Sequence, residues 1–162
     1  MDLAKIAGQS AQSDPGEVFP VVVRCYTNVG QVFGGGETIT IDAQQIISAS
    51  LNASSCIARI TISTAGQYPQ SGSGSINYED IDRICATLEY LRTVNPNATK
   101  FKFMEAIFDL DGVKFTVFNT AEQKVRFSAE AGGTSVFMEL SKLDQLVGLL
   151  RRTKAIIEQN RI

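Results

Sequence analysis

Histidine and tryptophan are both missing from the 162 residues. The first absence excludes imidazole acid–base catalysis, histidine-ligated metals and Ser-His triads. The second removes a favoured stacking and interface hot-spot side chain. Cysteine is sparse: Cys25, Cys56 and Cys85 lie far apart and form no CxxC pair. A zinc site would need other ligands, and an odd number cannot close a full disulfide framework. Buried thiols are the simplest reading, and a Cys25–Cys56 bridge stays open if their strands are neighbours.

Long hydrophobic runs are also lacking. None approaches the roughly eighteen residues of a membrane helix, so no membrane insertion is expected. Neither sign of charge dominates: 15 basic residues against 17 acidic give a formal net charge of -2. That balance supplies no general attraction to phosphate polymers or anionic lipid. Phosphate-loop chemistry is missing too. Gly34-Gly35-Gly36 is not followed by GK[ST] and reads as a hairpin connection. Gly72-Ser73-Gly74-Ser75 precedes a helix, but Glu79, Asp80 and Asp82 in its first turn would repel an anion, so it reads as a solvated linker. No metal and no cofactor are expected.

The polar stretch 1–17, with its Asp14-Pro15-Gly16 turn, reads as a flexible arm ahead of a single α+β domain over 18–162. It contains no secretory h-region. As the sequence stands the location is cytoplasmic; an exported one follows if Met1 replaces a removed signal peptide. Sequons at Asn52 and Asn97 bear only on a eukaryotic secretory route.

What is present is strand and helix patterning. Phe19 to Tyr26 is β-rich, Thr38 to Ile41 resumes after the glycines, and Cys56 to Ser63 is a further strand. Asp42 to Leu51 fits a strand or a short helix equally. Gly66 to Ser75 reads as a flexible loop, and Asn77 as the N-cap of a helix carrying Ile81, Ile84, Cys85, Leu88 and Leu91 at helical spacing. Asp111-Gly112 between Phe101–Leu110 and Val113–Asn119 is a strong two-residue hairpin signal. It sets Phe108 opposite Phe115, Asp109 opposite Lys114 as an ion pair, and Glu105 opposite Phe118. Val125 to Glu130 alternates, Gly132-Gly133 turns the chain into Ser135–Leu140, and Ser141 with Asp144 caps a last helix. The predicted architecture is α+β: an antiparallel sheet, bent or two-layered, packed with two main helices.

The two helices align at an offset of 62 residues, Ile81-Asp82 over Leu143-Asp144 and Leu88 over Leu150. Tandem ββββα units over 18–95 and 100–160 would explain this, though periodicity alone supplies most of the matches. Such a plan resembles the Whirly group of single-stranded-DNA-binding transcription regulators in architecture only, since no lysine-rich strand interleaved with aromatics is present. Residues 76–157 also resemble small uncharacterised bacterial proteins with a helix, a meander bearing an acidic-Gly hairpin, and a terminal helix. That resemblance implies no activity, but such proteins are often exported.

Two-sided apolarity marks the candidate surface. Phe101, Phe103, Ile107 and Phe118 fall on the outward face of the Asp111-Gly112 hairpin, while Leu149 and Ile156 widen the last helix's apolar stripe beyond one face. Coverage by the protein's own helices would explain either; so would contact with another protein or a second copy, giving a homodimer. The expected function is therefore non-enzymatic binding or assembly. The alternative is single-stranded nucleic-acid binding, with Lys102, Lys114, Lys124 and Arg126 on phosphates beside the phenylalanines. A carboxylate-dependent hydrolase is a third reading; it needs Glu105 and a second carboxyl group converging in a pocket.

Overall fold

A helix at Ile81–Arg92 divides the chain into two successive four-strand meanders. In the computed structural model, which describes residues 19–162, β1 (Val22–Gly34), β2 (Glu37–Ser48), β3 (Ala53–Ser63) and β4 (Ser71–Asn77) form one antiparallel sheet in that order. A short 3-10 turn, Tyr78–Asp80, leads into helix α1 (Ile81–Arg92). Strands β5 (Glu105–Leu110), β6 (Val113–Asn119), β7 (Val125–Ala131) and β8 (Thr134–Glu139) form the second sheet, again in sequence order. Helix α2 (Lys142–Asn160) closes the chain. The fold is thus α+β, with two antiparallel four-stranded sheets and two main helices. The predicted arm over 1–17 lies outside the described residues.

Each sheet has one apolar face. In the first, Ile39 pairs with Ile62, Ile41 with Ile60 and Ala43 with Ala58. In the second, Val113 pairs with Ala131, Phe115 with Ala129 and Val117 with Phe127. All twelve are buried. Strand β3 lies against β7 and β8, and β4 against β6 and β7, so both inner faces enter one hydrophobic cluster with both helices. α1 contributes the predicted stripe of Ile81, Ile84, Cys85, Leu88 and Leu91.

The helices meet antiparallel along a seam. Cys85 Sγ approaches the Val147 carbonyl at 3.9 Å, and Arg151 pairs with Glu89; both contacts join residues 62 apart. Two further ion pairs flank them, Arg92–Asp144 at 2.9 Å and Lys154–Asp82. Moving Asp82 forward by that same offset gives Asp144, and moving Arg92 gives Lys154, so the two pairs exchange. An approximate two-fold therefore relates the helices, and the element order runs ββββα twice.

Several sequence expectations change. Asp42–Ser48 is strand, its alternation blurred because Ala43 and Gln44 are both buried. The expected Gly-Ser linker is ordered from Ser71 onward as β4. Its glycines are needed: a Cβ on Gly72 would lie 2.1 Å from the Ala131 carbonyl oxygen, and one on Gly74 would lie 2.5 Å from Val113 Cγ2. The tips of the second sheet's hairpins come too close for a side chain. Neither Asn77 nor Ser141 forms a side-chain cap; Asn77 ends β4, and Asp144 serves Arg92 rather than a capping box. The Cys25–Cys56 bridge is ruled out geometrically. Cys25 faces Gln45 on β2, and Gln45 faces Cys56 on β3. The thiols thus sit two strand spacings apart, roughly 9–10 Å, beyond the usual Cα separation of about 4.4–6.8 Å for a disulfide. Both are free.

Two glycine substitutions should move stability in opposite directions. Gly72→Ala is expected to cost about 2 kcal/mol or more through overpacking against backbone. Gly148, in the interior of α2 with nothing within 4 Å of an added Cβ, should gain about 0.5–1 kcal/mol as alanine. Urea unfolding of the two variants checks both signs.

Candidate interaction face

The second sheet covers one face and leaves the other open. Pairing places Glu105 opposite Phe118, Ile107 opposite Thr116, and Asp109 opposite Lys114. The ladder continues from Phe118 to Arg126 to Glu139, and from Thr116 to Ser128 to Phe137. Side chains alternate across a strand, so these residues share the outer surface. Its middle row, Ile107–Thr116–Ser128–Phe137, carries no charge. Ile107 is 58% exposed and Phe137 48%. Phe118 and Phe137 meet edge to face, ring centroids 6.1 Å apart.

Asn119, almost fully buried at the end of β6, extends this surface toward the preceding segment. Its Oδ1 accepts from the Met104 N–H at 2.7 Å, and its Nδ2 donates to the Lys102 carbonyl at 2.8 Å. The side chain thereby substitutes for the next rung of a ladder. Phe101 and Phe103, in and beside this pinned segment, are both exposed. At the far edge the Phe137 N–H donates to the Glu37 carboxylate at 2.7 Å, tying β8 to the β1–β2 turn. A groove there is lined by Phe33, Glu37, Arg126, Phe137 and Lys142.

The charges on the open face are unequal in their commitments. Glu105, Asp109, Glu130 and Glu139 stand against Lys114 and Arg126. Lys114 pairs with Glu130 at 3.3 Å, taking the partner across β7 rather than Asp109. Arg126 donates to the Phe137 carbonyl at 3.4 Å. Lys124 is held by Glu122 at 3.7 Å, and Lys102 lies over its neighbour Phe103, 5.3 Å from the ring centroid. Each of the four cations expected on phosphates thus has a partner within the chain. Glu105 is exposed on edge strand β5 with no ion-pair partner among the described residues.

Leu149 and Ile156 are placed elsewhere. Leu149 seats on Gly30, where a Cβ would lie 2.7 Å from Leu149 Cδ2, beside the β1 bulge between Asn28 and Gly30. Both residues pack on the core. The widened stripe of α2 accommodates β1 and β2, across which the helix lies. Phe137 joins the open face without having been marked by its sequence pattern, although alternation through Ser135–Leu140 puts Val136 and Met138 inward and Phe137 outward.

A second groove lies between the start of the first sheet and the end of α2, with Cys25, Gln45, Cys56, Ile156 and Arg161 in its lining. Gln45 makes paired contacts with the Ile162 backbone, donating to its carbonyl and accepting from its N–H, each at 3.3 Å. Tyr78 donates to Glu158 at 2.7 Å while the Arg161 guanidinium stacks 4.4 Å from its ring. Burial pushes the Cys56 and Cys85 thiols above their usual pKa, so both remain protonated at neutral pH.

A scan against protein-family models finds no match for this chain, and a search of curated proteins finds no relative.

The thiols should alkylate in a fixed order. Maleimide added to the native protein is expected to label Cys25, which is exposed, at least tenfold faster than Cys56. Cys85, in the helix seam, should react only on unfolding. Peptide mass mapping over time checks this; early labelling of Cys85 would mean that the seam opens readily.

Proposed function

We propose that this chain is a non-enzymatic binding module that engages another protein through the open outer face of its second sheet. The observation that supports this most is the chemistry of that face. An uncharged row containing Ile107 and Phe137, with Phe118 against it, lies exposed between rows holding Glu105, Asp109, Glu130 and Glu139. Large apolar patches rimmed by polar residues commonly mark protein-interaction sites. Four carboxylates stand there against Lys114 and Arg126, so the net charge of the face is negative. A complementary partner presents apolar side chains flanked by lysine or arginine, since opposite potentials steer encounter and fix register. A nucleic-acid strand would meet carboxylates in addition to aromatic rings, which argues against the polyanion as occupant.

An amphipathic peptide of alternating leucine and lysine provides the probe, with a leucine–glutamate peptide as its counterpart. Amide shift changes are expected along the outer rows of β5–β8 with the lysine peptide. Ile107→Lys, at an exposed position, should weaken that binding about tenfold or more. Stronger binding of the glutamate peptide, or shifts confined to the first sheet, would refute the reading.

A further inference from the structure

Strand β1 is an edge of the first sheet, and among the described residues its only strand neighbour is β2. Exposed sheet edges are normally guarded by lysine, proline, a bulge or short length, because free N–H and C=O groups recruit another strand. From Val22 to Asn28 the one charged guard is Arg24, and no lysine, proline or bulge falls in the segment. Its pairing with β2 is regular until the irregularity between Asn28 and Gly30. Arg24 is the only charge in the strand, every side chain from Val22 to Asn28 is exposed, and Tyr26 is 69% exposed. Pro20 precedes the segment.

Backbone direction along the edge is fixed by one contact. The Ala49 N–H donates to the Val21 carbonyl at 3.4 Å. In an antiparallel ladder alternate residues turn their backbone groups to the same side, so those of Val21, Val23, Cys25 and Thr27 face β2. The groups of Val22, Arg24, Tyr26 and Asn28 face outward. We infer that this edge pairs antiparallel with β1 of a second copy of the chain, about a two-fold axis through Cys25, joining the two first sheets into one. This inference is independent of the proposed partner face.

The register follows from the residues. A two-fold normal to the sheet sets outer face beside outer face, so residues of equal parity oppose and the axis passes through a residue. An axis at Arg24 would oppose two guanidinium groups. One at Val23 would set Tyr26 against Pro20, which has no N–H to donate. One at Tyr26 would carry the pairing into the irregularity at Val29 and Gly30. Cys25 is the midpoint of the regular segment. An axis there sets Arg24 opposite Tyr26 of the second copy, twice, a cation beside an aromatic ring on one face. Val23 then meets Thr27, and Val22 meets Asn28. Cys25 meets its own copy in a non-hydrogen-bonded position, where Cα atoms lie about 4.5 Å apart.

Light scattering of the intact chain over a concentration series, combined with a short bis-maleimide, tests this. The expected mass is twice the 17.6 kDa of one chain, and the reagent should give a covalent dimer that Cys25→Ser abolishes. Tyr26→Arg opposes like charges twice and should raise the dissociation constant about tenfold. Adding Arg24→Glu should recover the dimer by restoring opposite charges. Both positions are exposed, so circular dichroism should be unchanged in these variants. A monomer at every concentration overturns the inference. So does a dimer that is insensitive to Tyr26→Arg and is not captured through Cys25.

Discussion

The antiparallel seam between α1 and α2 is the constraint from which the rest of the arrangement follows. Each four-stranded sheet has one apolar face and cannot bury it alone. Here both inner faces and both helices share one cluster, and Cys85 and Val147 mark the point where the helix backbones come close. The flanking ion pairs are half exposed and contribute little individually, about 0–1 kcal/mol each. Their exchange under the 62-residue offset matters more as geometry. It requires the second helix to lie against the first in one register, which in turn sets each sheet against the other. With the inner sides committed, the second sheet's outer face is left to solvent or to partners, while on the outer side of the first sheet Gln44, Ile46, Ser48 and Ile57 are buried.

Those outer faces differ because their sequences differ at matched places. The first carries Arg24, Tyr26, Asp42, Arg59 and Thr61 around a shallow polar pocket. Asn28 donates to Asp42 at 3.0 Å, and Ser73 joins Arg59 and Thr61 in a hydroxyl-rich network. The second has Phe118 and Phe137 in contact, with Ile107 exposed on the same surface. Among the described residues the first sheet contributes an open edge, and the second an outer face that exposes Ile107 and Phe137 between charged rows. The two surfaces are separate, so a copy at one would not exclude a different protein at the other.

Much of the second half is legible in the sequence. Asp111-Gly112 and Gly132-Gly133 fix two-residue turns, and from them the pairings Glu105–Phe118, Phe108–Phe115 and Asp109–Lys114 follow by counting. The outward placement of Ile107 and Phe118 follows from the same count. Where local pattern misleads, long-range contact decides. β4 looks like a linker because its glycines are demanded by hairpin tips distant in sequence. β2 loses its alternation where Gln44, Ile46 and Ser48 are buried as well as Ala43. Leu149 suggests surplus apolar surface, but Gly30 on β1 makes room for it. The exposed edge at Val22–Asn28 follows from strand order, which local pattern does not specify.

Native-state hydrogen exchange tests the shared core most directly. If the seam unites the two ββββα halves, the slowest amides of Ile84–Leu88, Leu146–Leu150 and the central strands β2, β3, β6 and β7 will exchange through one common unfolding event, with equal free energies and equal denaturant dependence. Exchange of one sheet and its helix at a distinctly lower free energy, while the other half stays protected, would contradict the account.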